Sequence, residues 1–507
     1  LAKVFLVGAG PGDPGLITVR GLECIRTADV IVYDRLVDSS LLKEARSDAE
    51  LIYVGKRAGA HTMSQEEINQ VLIDNARRGL SVVRLKGGDP FIFGRGGEEA
   101  LALADAGVDF EVVPGVSSAI AAAAYAGIPV THRGLCTTLG IVAGHEDPSK
   151  PQSAVRWDKI ANGLDTIVFL MGAEKLDQIA SELVANGRDA DTPVAVIEWG
   201  TLPRQKTVVG TLANIAENVR AAGLNPPVVI VVGEVVRLRE KLRWFDTKPL
   251  FGKKILVTRS EDQAEKLSEA LRYHGAEPIE FPVIRIETPS SFAPLDTALE
   301  RMCSYDWLLF TSVNGVSETI KRLAAIGRDV RALAGPKIGA IGPATAQALS
   351  QLGIRVDYVP RRFVAEAFCD DFPEDPANKR ILIIRAEEAR NVLPEGLAAR
   401  GAVVSVVAAY KTEVNFAAER LGELCKQLEG SEIDVVTFTS SSTVSAFLDL
   451  VGSQTVARLP DSVKIACIGP VTASTAREYG LNVHIVAQEY TVDGLVAAIV
   501  EDAKRNP

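Results

Sequence analysis

Three glycine-rich loops in the first half of the chain have the composition of ligand cradles. Val7-Gly-Ala-Gly10-Pro-Gly-Asp13-Pro follows an apolar run, and glycines at such a strand end let the backbone approach a bound molecule closely. The dinucleotide fingerprint GxGxxG is the obvious comparison, but Asp13 stands where its third glycine belongs and Pro11 lacks an N–H for a pyrophosphate. Asp34, 24 residues after Gly10, sits where a ribose-binding acid is expected. A nucleotide cradle and a plain tight turn both stay open at this stage. The second loop, Lys86-Gly-Gly-Asp-Pro-Phe-Ile-Phe-Gly94-Arg-Gly-Gly97, is too rich in glycine for a helix interior and carries an aspartate able to bind amines or hydroxyls. The third, Val113-Pro-Gly-Val-Ser117-Ser118, ends one run and opens a helix, so its serines suit both a helix cap and a ligand contact.

In the second half, hydroxyl-bearing segments recur instead: Thr311-Ser312, Thr439-Ser-Ser-Ser442, Gly342-Pro-Ala-Thr345 and Gly469-Pro-Val-Thr472. Ser and Thr before helices are ordinary caps. In matched pairs at helix N-termini they also suit a polycarboxylate.

These loops need strands and helices to aim them. Apolar, β-branched runs predict strands at 3–7, 29–33, 81–85, 110–113, 139–143, 166–170, 193–198 and 228–232, alternating with helical patterns. That order predicts α/β architecture with largely parallel sheets. A boundary is expected near 245–251, where Lys253-Lys-Ile-Leu-Val opens as if a new protein began. Beyond it the chain repeats itself. Ile255-Leu-Val-Thr-Arg259, Phe310-Thr-Ser312 and Ile341-Gly-Pro return at offsets of 126, 128 and 127 residues. Two similar α/β lobes facing a cleft are the expected result.

Composition limits the function. At 507 residues and net charge −10, with neither half basic, the chain is not a general nucleic-acid or anionic-membrane binder. The six cysteines lie far apart without CxxC spacing, so no metal site and no disulfide framework are expected. No long apolar run and no signal-peptide layout appear, which predicts a cytoplasmic location.

Taken in order, VGAGPGDPGLIT, the YDRLV around Asp34, GKR at 55–57, LKGGDPFIFGRGGEE at 85–99, VPGVSSA at 113–119 and GIPVTHRG at 127–134 resemble the tetrapyrrole methylase family, and within it uroporphyrinogen-III C-methyltransferase. The resemblance implies a two-lobed fold over 1–245, with lobes at about 1–117 and 131–245, and S-adenosylmethionine as methyl donor. It places donor contacts on Pro11, Gly87, Gly88, Asp89, Ile92, Ser117, Ser118, Met171 and Gly200. It makes Asp34 the proton acceptor and Lys56 a proton donor or substrate-orienting cation. By resemblance, such methylases are often homodimers. Arg57, Arg95, Arg133 and His145 are further candidates for contacts to an eight-carboxylate substrate.

Past a linker at 246–251, residues 252–507 resemble uroporphyrinogen-III synthase through KKILVTRS, DWLLFTSVNGV, KIGAIGPATA, AAYKTE, FTSSSTV and KIACIGPVTA. This implies a duplicated bilobal fold (252–286 with 412–507, and 297–405) that needs no cofactor. Tyr410 becomes the acid assisting hydroxide departure from hydroxymethylbilane, and Ser312, Arg390, Ser440, Lys464 and Thr472 hold carboxylates. Tyr410 as an ordinary core or rim tyrosine stays open. Together the halves would make uroporphyrinogen III and methylate it at C2 and C7 to precorrin-2, a precursor of sirohaem and cobalamin. A non-catalytic tetrapyrrole or nucleoside sensor, and a later cobalamin-pathway methylase joined to a decayed synthase, are the alternatives. No nucleic-acid or membrane partner is expected, only small tetrapyrroles.

Overall fold

A computed structural model describes residues 3–55, 63–144, 155–362, 365–415 and 418–506. The chain divides into two compact units, Leu1–Gly252 and Lys253–Pro507.

In the first unit, β1 (Val4–Gly8), β2 (Val30–Tyr33), β3 (Glu50–Tyr53), β4 (Val82–Lys86) and β5 (Phe110–Val113) form one sheet in the order β3-β2-β4-β1-β5. Every pair in it is parallel. Central strands such as Val-Ile-Val are apolar throughout because a parallel sheet is covered on both faces. Two separate cores, one around Leu72 and Leu103 and one around Ile25 and Ile31, provide that cover. The helix Gln65–Arg77 starts at a reciprocal capping box between Ser64 and Glu67.

The second sheet comprises β6 (Leu139–Ala143), β7 (Thr166–Leu170), β8 (Pro193–Glu198), β9 (Lys206–Thr211) and β10 (Val228–Val232), in the order β6-β7-β10-β8-β9. The eight strands expected from the sequence are present within a residue at each end, together with two unexpected ones, β3 and β9. The expectation of largely parallel pairing fails here. Only β6–β7 is parallel, while β7–β10, β10–β8 and β8–β9 are antiparallel. The short connection from β8 to β9 can only close a hairpin, since a parallel crossover needs a dozen residues or more.

The Ala-rich helix Ser118–Tyr125 lies on this second sheet with Ala119, Ala122 and Ala123 buried. Residues 246–251 pack on the same unit: Asp246 pairs with Arg239, Phe251 meets Phe245 edge-on at 5.4 Å, and Leu250 is buried.

The second unit holds β11 (Lys254–Val257), β12 (Glu277–Glu280), β13 (Ile284–Glu287), β14 (Trp307–Phe310), β15 (Lys337–Ala340), β16 (Arg380–Ala386), β17 (Val403–Val414), β18 (Val435–Phe438), β19 (Lys464–Cys467) and β20 (Val483–Val486). Its sheets run β12-β11-β18-β19-β20 and β13-β17-β16-β14-β15. The repeated segments take matching places: β11 and β16, β14 and β18, and β15 and β19 are counterparts in opposite sheets. The repeated hydroxyls and prolines begin helices. Ser312 caps Val313–Ala325 and Ser440 caps Ser441–Ala457, while Pro343 and Pro470 open their helices after Gly342 and Gly469. Among the described residues no helix is long and apolar enough to cross a membrane.

A close backbone approach in the first unit lies at the carboxyl ends of β1, β4 and β5. A Cβ on Gly115 would stand 2.4 Å from the Gly88 carbonyl oxygen and 2.7 Å from the Gly8 Cα. Backbone cannot yield as a side chain can, so Gly115→Ala is expected to destabilise the first unit by about 1–3 kcal/mol. Denaturant unfolding followed separately for each unit checks this: the second unit's transition stays in place, and an unchanged first transition contradicts the packing.

Candidate active sites

The three glycine loops converge above those strand ends. Gly10 and Gly88 exchange hydrogen bonds, Gly10 N–H to the Gly88 carbonyl at 3.2 Å and Gly88 N–H to the Gly10 carbonyl at 2.6 Å. Both have left-handed backbone, φ 81° and 70°. Asp89 folds the following loop: one carboxylate oxygen accepts from Phe91 and Ile92 N–H and the other from Gly115 N–H at 3.1 Å. Ser117 caps the next helix through Ala119 N–H.

Beneath these loops lies a cavity of about 400 Å³, walled by both sheets, a size within the range of small-molecule sites. Of the residues expected to hold a methyl donor, Pro11, Gly87, Gly88, Ile92, Ser118, Met171 and Gly200 line it, as does Asp34. Asp89 and Ser117 stand behind that wall and shape it. Lys56, with Arg57 and His145, lies outside the described residues.

Backbone strain gathers at the same place. Phe93, Arg95, Met171 and Trp199 line the cavity with φ of 51°, 59°, 58° and 46°. Left-handed backbone at non-glycine residues costs of order 1–3 kcal/mol each and clusters at binding and catalytic sites. Gly200 allows the close seating of its loop, because a Cβ there would fall 2.4 Å from the Ala122 Cβ. Asp13, which breaks the dinucleotide pattern, has a holding role. Its carboxylate accepts from Gly15 N–H and the Tyr125 hydroxyl, and its own N–H donates to the Thr201 hydroxyl.

Sequence reasoning missed the charged wall of this cavity. Asp34 accepts from Leu36 N–H at 3.1 Å and from Arg84 Nη2 at 3.3 Å. Arg84 Nε in turn reaches Glu99 Oε1 at 3.1 Å, and Lys86 Nζ reaches the same oxygen at 2.8 Å. Gln65 donates to it as well, at 3.3 Å. Glu99 is fully buried, and its second oxygen has no hydrogen-bond partner among the described residues. Burial, followed by the like charge of Arg84, lowers the Lys86 pKa from its ordinary value. The signal was present in the sequence: two cations inside the strand Val-Val-Arg-Leu-Lys require a buried carboxylate to accompany them.

In the second unit the structure brings together Tyr410 and Ser312, whose hydroxyl oxygens are 3.0 Å apart. Tyr410 is buried, which raises its pKa, while hydrogen bonds from the Ser312 and Asn314 side chains pull the other way. The group is therefore a neutral phenol at physiological pH and can donate a proton. Ser440 follows β18 as a helix cap, bonded to Ser442 at 2.8 Å, and Thr472 is buried in the first turn of Pro470–Glu478. Arg390 is exposed, and its carbonyl accepts from Arg385. Lys464 is not brought to this edge. It opens β19 at the amino end, where its ammonium pairs with Asp502 at 2.5 Å.

The buried Glu99 cluster allows a direct check. Removing one member of a buried, hydrogen-bonded charge group typically costs about 3–5 kcal/mol, because the remaining charges lose their compensation. Glu99→Ala is expected to lose that much in first-unit stability by denaturant unfolding; a loss below about 1 kcal/mol contradicts the cluster.

Comparison with known proteins agrees with the two-unit division. Residues 3–216 match the family model "Tetrapyrrole (Corrin/Porphyrin) Methylases", and residues 265–497 match "Uroporphyrinogen-III synthase HemD". The "Porphyrin biosynthesis protein HemD" of Ruminiclostridium josui is 40% identical over 500 residues, covering 98% of this chain and 97% of its own length. The "Uroporphyrinogen-III C-methyltransferase" of Priestia megaterium is 53% identical over 236 residues, 46% of this chain and 99% of its own. The "S-adenosyl-L-methionine-dependent uroporphyrinogen III methyltransferase" of Methanosarcina barkeri is 52% identical over 240 residues, 47% of this chain and 94% of its own. The chain thus belongs to the family of porphyrin-biosynthesis proteins in which a tetrapyrrole methylase is joined to a HemD-type uroporphyrinogen-III synthase.

Proposed function

We propose that the second unit closes hydroxymethylbilane to uroporphyrinogen III and that the first methylates this product at C2 and C7, using S-adenosylmethionine, to give precorrin-2. The observation that carries the reading is Asp34: a half-exposed carboxylate on the wall of a glycine-lined cavity, steadied from behind by the buried Arg84–Glu99 pair. The residues fit such a donor. The cavity volume suits a nucleoside-sized ligand, and the Gly10–Gly88 contact leaves backbone rather than side chains at its floor.

The donor, when bound, supplies a methyl carbon already activated by its sulfonium. The protein's part is then positioning and proton removal. Holding two reactants in line contributes about 7–11 kcal/mol of barrier lowering, and the strained loops at Phe93, Met171 and Trp199 are the rigid parts that could provide it. After the pyrrole carbon takes the methyl group, the ring must shed a proton, and the Asp34 carboxylate accepts it. In this reading Lys56 orients the substrate or returns a proton. Arg95 lines the cavity with Nε and Nη2 paired to Glu98, and in this reading it meets a substrate carboxylate beside that pair.

In the second unit, Tyr410 gives its phenolic proton to the departing hydroxyl, so that a C–O bond breaks and water leaves. Ser312 holds the phenol in place, and Ser440, Thr472 and Arg390 bind carboxylates in the same proposal. Lys464 would enter only through movement away from Asp502.

Two substitutions separate the activities. General acid–base groups typically contribute about 10²–10⁴-fold. Asp34→Ala is expected to slow precorrin-2 formation by at least about a hundredfold while ring closure, followed separately, proceeds at the wild-type rate. Equal loss of both would remove Asp34 from the chemistry. Tyr410→Phe is expected to slow ring closure by a similar factor, with methylation of supplied uroporphyrinogen III unchanged; closure at the wild-type rate would exclude the phenol.

A further inference from the structure

We propose that Arg259 is a carboxylate receptor in the second unit, linked to Tyr410 through Gln263 and Asn314 and taking one acidic side chain of the substrate. This rests on the reading that the unit closes a polycarboxylate.

Arg259 lies just past the carboxyl end of β11, with buried Thr258 and Ser260 on either side. Its Nε is buried without a hydrogen-bond partner among the described residues. Its Nη2 donates to the Gln263 side-chain oxygen at 2.6 Å, and no acidic group of the described residues offsets its charge. Burial alone pulls its pKa down, to about 10, so the guanidinium stays charged at neutral pH. Some arginines of this unit have carboxylate partners, as Arg322 holds Asp296 and Arg285 holds Glu413; Arg259 has none among the described residues. A withdrawn charge without a counter-charge is unfavourable unless a ligand supplies one.

The surroundings indicate which ligand. Gln263 bridges from Arg259 to the Asn314 side chain, and Asn314 and Ser312 are the side chains that hydrogen-bond the Tyr410 phenol. One short polar chain therefore runs from the cation, next to one sheet, to the phenol in the other. Its free N–H groups form the planar fork that suits a carboxylate.

The internal repeat supplies a comparison. Arg385 occupies the same place in the second copy, yet it spends its donors on the Arg390 carbonyl and the Asn391 side chain, both at 2.9 Å. The arginine of the first copy spends Nη2 on Gln263 but keeps Nε free among the described residues, and it is the one linked to Tyr410.

The test is steady-state ring closure of hydroxymethylbilane by the full chain. Arg259→Gln is expected to raise KM by about ten- to a hundredfold, the worth of hydrogen bonds to a charged group, with kcat nearly unchanged. Arg259→Lys, which keeps the charge, is expected to recover most of that loss. Gln263→Met, which cuts the bridge but keeps the cation, is expected to leave KM near wild type. An unchanged KM in Arg259→Gln overturns the proposal. So does a KM rise in Gln263→Met equal to that of Arg259→Gln, which would make Arg259 a strut between the sheets. A wild-type chain that closes no ring defeats the functional reading itself, an outcome distinct from either.

Discussion

Three turns meeting without side chains between them set up the rest of the first unit. Gly8, Gly88 and Gly115 lie at the ends of neighbouring strands β1, β4 and β5, and a Cβ on Gly8 or Gly115 would collide with the backbone of the other two. This contact draws the loops after β1 and β4 together and lets Asp89 bind across to Gly115 N–H. The result is a floor made of peptide groups, with the carboxylate of Asp34 arriving from the end of the adjacent β2. Ligand clefts form at such strand ends in open α/β sheets, and here the second sheet closes the top with Met171, Trp199 and Gly200.

Electrostatics follow from where the polar residues sit in this sheet. Arg84 and Lys86 lie inside a buried strand, so their charges must be met within the protein. Glu99 meets both with one oxygen, and Arg84 passes the remaining interaction to Asp34. A carboxylate at the cavity is thereby held in place by a buried network instead of by solvent. The second unit solves its problem differently. Its strand-end hydroxyls begin helices, and a buried phenol, the proposed acid, is set against Ser312. Neither arrangement depends on a reactive nucleophile.

Much of this was legible in the residues. The runs of Val and Ile gave the strands of the first unit almost to the residue, since buried strands have few alternatives in composition. Self-similarity exposed the duplicated unit, and the matching sheet positions of β11 and β16 bear that out. What pattern alone could not supply was distance. Met171 and Gly200 reach the same cavity as Gly88 only through pairing between sheets, and their selection came from family resemblance. The antiparallel second sheet was missed because an apolar run carries no direction. Glu99 was missed because Gly-Gly-Glu-Glu reads as a solvated helix start, while Gly96 and Glu99 are in fact buried and Glu98 is exposed. Lys464 was expected to hold a carboxylate by family resemblance, and a resemblance does not say that it stands at the amino end of β19, paired with Asp502.

A crystal structure of the full chain with S-adenosylhomocysteine bears most directly on the first unit's role. The ligand should lie in the glycine-floored cavity, against Gly88, Met171 and Gly200, with its sulfur turned toward the side of Asp34. A ligand bound elsewhere, or a cavity that takes up a nicotinamide dinucleotide in preference, would contradict the assignment.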